Sequence, residues 1–172
     1  MIRLSKRLAC ALDLVPCGHP VLDVGCDHAL TSIALVESGK CPFCVASDVR
    51  PGPLLAAEKN IRKAGLEGKI RTVLADGILL NIGEILRDLS GSEAAGSNTD
   101  SCADVNGKFD SGKEAEDGQK SGKIPASPAQ LPAAACVITG MGGMLITRIL
   151  GKAGHCLEFF DILILSPQSE PD

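Results

Sequence analysis

The sequence predicts an α/β fold on an open parallel sheet, and three observations predict it. Apolar runs too short for helices recur near residues 21–24, 43–46, 69–74, 133–139 and 161–165. Between the first three runs, and again between the last two, lie stretches with the spacing of amphipathic helices. Glycine or aspartate closes each of the first three runs, at Gly25, Asp48 and Asp76-Gly77, which is where loops leave the carboxyl edge of such a sheet.

With 172 residues, 45% hydrophobic and 22% charged, the chain suffices for one domain with a true core, taken as residues 1–172. No apolar run nears the roughly twenty residues of a membrane span. The basic start, Arg3, Lys6 and Arg7, has no apolar block behind it, so the expectation is a cytoplasmic protein without a membrane partner. The net charge of −4 resides in residues 88–123, where eight acids face four lysines. Elsewhere the signs balance, so charge alone points to no partner. The eight cysteines show no repeating spacing, which predicts reduced, mostly buried thiols. Cys41-Pro-Phe-Cys44 has neither a second pair nor a paired histidine at ligand spacing. It reads as two packing residues at a turn, and no metal is expected.

Residues 4–15 place Leu4, Leu8, Ala11, Leu12 and Val15 on one stripe. This predicts an amphipathic helix within an N-terminal segment 1–18, ended by Pro16 and Gly18. Lys6 and Arg7 lie off the stripe, on a solvated face or against a phosphate backbone.

Val21, Leu22 and Val24 form the first strand, which breaks at Gly25, turns through Cys26-Asp27-His28-Ala29 and enters a helix with Leu30, Ile33, Ala34 and Leu35 on its apolar face. A strand, a tight turn and a helix N-terminus offer backbone N–H groups and a positive dipole end to a ligand. A dinucleotide pyrophosphate needs several glycines there. This turn has one glycine and then an acid, with Asp23 near the strand's end. A ligand with a cationic amino-acid head and no phosphate suits Asp23 and Asp27 better; S-adenosylmethionine is such a ligand.

The second strand, Phe43 to Ala46, ends at Asp48, where a carboxylate can accept from both hydroxyls of a ribose. Arg50-Pro51-Gly52-Pro53 breaks the chain before a helix from Leu54 to Ala64, with Leu54, Leu55, Ala57 and Ile61, stopped at Gly65. Residues 69–74 form a third strand ending at Asp76-Gly77. Three ligand-suited loops at the carboxyl ends of adjacent strands satisfy the crevice rule for open α/β sheets.

A short helix from Ile78 to Leu89 leads into residues 90–132, dense in Gly, Ser, Asp, Lys and Pro and nearly free of large apolar side chains. Such a segment buries too little to offset its ordering entropy and predicts a flexible surface insertion. Ala133 to Thr139 restores the fold as a fourth strand, followed by Gly140-Met141-Gly142-Gly143 and a helix carrying Met144, Leu145, Ile146, Ile149 and Leu150. Three glycines at a strand-to-helix turn let a ligand or a base approach the backbone closely. A fifth strand, Asp161 to Leu165, ends in Ser166-Pro167-Gln168-Ser169.

The motifs VLDVGCDHA, SDV, ADG, ITGMGG and ILSPQSEP, in that order, resemble those of class I S-adenosylmethionine-dependent methyltransferases, and more narrowly the bacterial tRNA (adenine-22) N1-methyltransferase family. The N-terminal LSKRL, the DxGxDHA turn and the GMGG followed by a strand and PQS carry the narrower resemblance, over nearly everything outside residues 90–132. It implies a Rossmann-like open parallel sheet, S-adenosyl-L-methionine as cofactor, tRNA as partner, and methyl transfer to adenine N1. By position it sets Asp23, Gly25, Asp27 and His28 against the methionine part of the cofactor, Asp48 against the ribose, and Asp76 with Gly77 against the adenine. Gly140, Met141, Gly142 and Gly143 would line the meeting place of base and methyl group, and Asp27 and His28 would grip the base edge. His28 orienting the turn is the equal alternative.

The chain departs from that family in two respects. The family has an aromatic after DHA where this chain has Leu30, and the chain holds no Trp or Tyr. The family also continues past the fifth strand with further strands and a C-terminal helical region. Their absence leaves an apolar edge, so the expectation is a fragment, a truncated reading frame or one partner of an assembly, prone to self-association. A non-catalytic cofactor- or tRNA-binding remnant, a small-molecule methyltransferase and a nicotinamide enzyme stay open as alternatives.

Overall fold

The computed structural model describes residues 4–79, Ile85 and residues 134–168. Strands β1 (Val21–Val24), β2 (Cys44–Asp48), β3 (Ile70–Leu74), β4 (Ala134–Gly142) and β5 (Phe160–Gln168) form one parallel sheet. Their order is β3-β2-β1-β4-β5. Every residue of β1 and β2, and the first six of β4, is buried. A parallel sheet covered on both faces demands this, and it explains why these strands read as continuous apolar runs.

The two-residue period of a strand divides the core into two layers. Val21, Ala46, Ala135 and Val137 face helices α1 (Lys6–Asp13), α2 (Leu30–Glu37) and α3 (Pro51–Ala64). Leu22, Val24, Val45, Cys136 and Ile138 face Ile146, Ile149 and Ala153 of α4 (Gly143–Ala153). Right-handed crossovers account for the split: the chain moves outward from β1 to β3, then returns to the other side of β1 for β4 and β5. The connections that follow β1 and β4 therefore leave toward opposite faces of the sheet, and a crevice opens between them above the paired strand ends.

Several boundaries differ from the sequence reading. The first helix is shorter, because Ser5 caps it by accepting from the Leu8 N–H (3.3 Å) and Lys40 Nζ donates to the terminal carbonyls of Leu12 (2.8 Å) and Asp13 (2.7 Å). Pro51 begins α3 instead of breaking the chain, since a first-turn proline lacks only an N–H the helix leaves unpaired. Leu55 lies outside its apolar face and is exposed.

β4 runs through Gly140, Met141 and Gly142, where a turn was expected, and its register against β5 shifts between Thr139 and Gly142. Gly140, at φ 77°, absorbs the irregularity. β5 extends through Ser166, Pro167 and Gln168, and an outer strand tolerates Pro167 because its missing N–H faces no neighbour. The expected helix to Leu89, apart from Ile78, Leu79 and Ile85, lies outside the described residues, as do the insertion 90–132, Ala133 and Ser169.

Gly77 joins the two halves. At φ 69°, its α-carbon lies so close to α4 that an added Cβ would stand 2.8 Å from Ile149 Cγ2, whereas Gly39, at φ 71°, has open space beside it. Alanine at Gly39 is expected to lose about 1 kcal/mol of stability for its left-handed backbone alone. Alanine at Gly77 should lose about 2 kcal/mol more, for the overpacking of Ile149. Urea denaturation of both variants checks the difference; equal losses would refute the close approach.

Candidate functional site

One cavity of about 880 Å³ opens along the carboxyl edge of the sheet, and every strand or the turn after it contributes to its wall. Gly25 and Asp27 follow β1, Asp48 ends β2, Asp76 and Gly77 follow β3, Gly140 and Met141 come from β4, and Gln168 ends β5. The three turns singled out in the sequence thus share one cavity.

The turn after β1 is built by hydrogen bonds that leave it little freedom. Gly25 takes φ 71°, and the N–H groups of Gly25 and Cys26 both donate to the carbonyl of Ser47 (2.8 and 2.9 Å). These donors tie β1 to β2 and are not presented to a ligand, contrary to the sequence expectation. Asp27, His28 and Ala29 then continue the turn with φ of 23°, 57° and 56°. A left-handed non-glycine residue costs about 1–3 kcal/mol, so three in succession need external support. The Ala29 N–H donates to Cys26 (2.9 Å), and Asn60 Nδ2 of α3 donates to the His28 carbonyl (3.0 Å).

Four residues assigned to the site stand off its wall. Asp23 is 1% exposed, and its Oδ2 accepts from Ser32 Oγ at 2.7 Å. As a residue inside a strand it takes the face covered by α2, where Ser32 also offers its backbone N–H. Asp23 therefore caps α2, whose own N-cap, Ala29, has no side chain to do so. Burial raises its pKa to about 6, against the opposing pull of the two Ser32 donors. His28 is half exposed and turned off the wall, with Nε2 3.5 Å from Asp27 Oδ1. Gly142 and Gly143 are drawn into the end of β4 and the start of α4, so only Gly140 and Met141 of that motif face the cavity.

Asp48, 6% exposed, accepts from the Arg50 N–H at 2.9 Å and has Arg50 Nε at 3.8 Å. Asp76 Oδ2 pairs with Lys152 Nζ at 3.2 Å across the mouth toward α4. Besides these acids the wall carries Arg50, beside Asp48, and Arg7 and Arg148. Arg7 and Arg148 form no ion pair among the described residues. Sequence reasoning gave Arg7 a solvated face or a phosphate backbone, took Leu145 as an apolar helix residue and did not single out Arg148. The available signal was the helical spacing of three between Leu145 and Arg148, one step off the core stripe Ile146, Ile149 and Ala153.

Burial pushes the thiols of Cys26 and Cys136 up to about 12, and raises that of Cys44 as well. They remain protonated, poor as ligands or nucleophiles. Cys41 Sγ donates to the Phe43 carbonyl at 2.7 Å. Cys10 and Cys17 are exposed, correcting the expectation for those two. Among the described residues no three His, Cys, Asp or Glu side chains group as a metal site would need.

Residues 4–86 match the family model of a methyltransferase domain. Over 77 residues the chain is 32% identical to the tRNA (adenine(22)-N(1))-methyltransferase of Bacillus subtilis, covering 45% of this chain and 32% of that one. The structure of Streptococcus pneumoniae Sp1610 in complex with S-adenosyl-L-methionine superposes with a TM-score of 0.64 at 28% identity, over 98% of this chain and 57% of that one. The B. subtilis M1A22 tRNA methyltransferase TrmK shares the fold, with a TM-score of 0.61 at 24% identity over 97% and 51% of the two chains. The chain thus spans little more than half the length of the solved relatives it matches.

The burial of Asp23 predicts a pH dependence. With a folded pKa of about 6 against an ordinary 3.8, the folded state holds the extra proton in between, so stability is fullest below the ordinary value and falls as pH rises through about 6. The loss is of order 3 kcal/mol. Asp23→Asn should remove this slope while keeping an acceptor for Ser32. Asp23→Ala should lose about 1–3 kcal/mol by stranding the Ser32 donors. Denaturation midpoints between pH 4 and 8 check both; an unchanged slope in Asp23→Asn would contradict the assignment.

Proposed function

We propose that this chain belongs to the bacterial tRNA (adenine-22) N1-methyltransferase family, and that its cavity binds S-adenosyl-L-methionine and methylates N1 of an adenine in tRNA. The observation that carries the reading is the convergence of the turns after β1, β2 and β3 on one cavity at the point where strand order reverses. The donor set fits the cofactor part by part. Asp48 has one carboxylate oxygen on the Arg50 N–H, which leaves the other to accept from a ribose diol. Asp76 and Gly77 border the adenine, and Asp27 meets the methionine ammonium. The methionine carboxylate needs a cation, because the nearest turn N–H groups already serve Ser47; Arg7, reaching the cavity from α1, is assigned to it.

Bound there, the sulfonium supplies an activated methyl group. Adenine N1 carries its own lone pair, so the side chains have little acid or base work to do. Their contribution is to hold nitrogen in line with methyl and sulfur, which accounts for much of the rate in reactions of this kind. N1 lies on the pairing edge, so the base is bound unpaired or flipped out. Asp27, Gly140 and Met141 line the cavity beside it. His28, Gly142 and Gly143 shape the loops that carry them. Asp23 acts one step removed, by fixing α2.

No helix of the described residues is long and apolar enough to cross a membrane, and a tRNA substrate suits a cytoplasmic protein. Among the described residues β5 is the outer strand, with Leu163 and Leu165 39% and 40% exposed. We infer that this edge pairs with a second copy of the chain, which light scattering across a concentration series would detect as a dimer; a monomer throughout would refute it.

Titration calorimetry with S-adenosyl-L-methionine and with NAD tests the cofactor, and mass spectrometry of tRNA nucleosides tests the product. Binding of the first ligand only, and formation of 1-methyladenosine, are the expected results. Asp48→Ala should weaken cofactor binding by about 1–3 kcal/mol. NAD binding without response to S-adenosyl-L-methionine would overturn the reading, and cofactor binding without product would leave a binding remnant.

A further inference from the structure

We propose that Leu30, Met141 and Leu145 form an aliphatic slot that grips the two faces of the target adenine, in the place where base-binding sites use aromatic rings. The proposal rests on the methyltransferase reading and adds how the substrate base is held. Three elements supply the slot: the first residue of α2, the end of β4 and the first turn of α4, all on one cavity wall. Leu30 and Leu145 are 37% and 38% exposed, too open to serve the core. The core positions of α4 are Ile146, Ile149 and Ala153, so Leu145, one residue before that stripe, faces the crevice instead.

Met141 has the reach and the shape for the same role. An added Cβ on Gly25 would lie 2.5 Å from Met141 Cε, so the missing side chain lets the thioether lie flat over the β1 turn. Methionine is unbranched and adapts its shape to what it touches. Asp48, Asp76 and Arg50 come from the ends of β2 and β3, whereas Asp27 and Thr31 flank Leu30, Thr139 precedes Met141 and Arg148 follows Leu145 by three residues.

Among the described residues no phenylalanine competes for this role. The chain has no Trp or Tyr. Phe43, Phe159 and Phe160 pack against the core on the α4 face, and no phenylalanine lines the cavity among the described residues. A volume of about 880 Å³ is at the upper end for one small ligand and leaves room for a second, flat one. Adenine has two apolar faces and an exocyclic amine, and Asp27 on the same wall can accept from that amine. Aliphatic walls grip any base by dispersion, so in this slot the choice of adenine rests on its edge.

The test uses the full chain with S-adenosylhomocysteine and a tRNA carrying 2-aminopurine at the target position. This fluorophore brightens when unstacked and is quenched by an aromatic neighbour. In the wild type, emission should rise on binding, because the flipped base meets only aliphatic groups. Leu30→Tyr should quench that emission and tighten tRNA binding, whereas Leu30→Ala and Leu145→Ala should each weaken it by about three- to tenfold. Affinity for S-adenosylhomocysteine should stay unchanged in all three. Brightening that persists in Leu30→Tyr, with affinities equal to the wild type in the alanine variants, would overturn the slot alone. Absence of any tRNA binding by the wild type would overturn the methyltransferase reading and the slot with it.

Discussion

The Ser47 carbonyl, accepting from both Gly25 and Cys26, is the constraint on which the arrangement depends. It holds the turn after β1 against the end of β2, so that both contribute to one cavity wall. The left-handed run Asp27-His28-Ala29 is possible only because this anchor and Asn60 of α3 support it from below and behind. The run in turn delivers Leu30 and the start of α2 to the cavity, while Asp23 fastens α2 from within the sheet. Backbone pairing, buried polar capping and site geometry are thus one connected structure.

Much of the fold was legible because parallel strands buried on both faces are written as uninterrupted apolar runs. β1, β2 and β4 obey that rule, whereas the helices bury only part of their expected apolar faces, leaving Leu30, Leu55, Met144 and Leu145 exposed. The features that the sequence concealed have local reasons. Pro51 looks like a breaker but is compatible with a helix start, a choice decided by the helix-forming residues after it. Gly140 looks like the end of a strand, yet its positive φ lets β4 continue past an irregularity against β5. Pro167 is readable as strand only once β5 is known to be the outer one.

The cavity was legible as a set of loops and less so as a set of side chains. Three acids at the ends of three strands were visible from spacing, but which way each points depends on strand parity and packing. Asp23 illustrates this: it sits inside β1 and turns to α2, whereas Asp48, at the last residue of β2, reaches the edge. Arg7, Arg148 and Leu145 come from helices distant in sequence, and only the doubly covered sheet brings them to the same wall.

The central claim is that four loops of this edge bind one ligand together. Hydrogen–deuterium exchange with and without S-adenosyl-L-methionine measures it most directly. The account predicts concerted protection of the segments 24–30, 48–50, 75–77 and 139–141 with a single concentration dependence, and unchanged exchange in β5. Protection confined to one of these segments, or appearing on the opposite edge of the sheet, would contradict it.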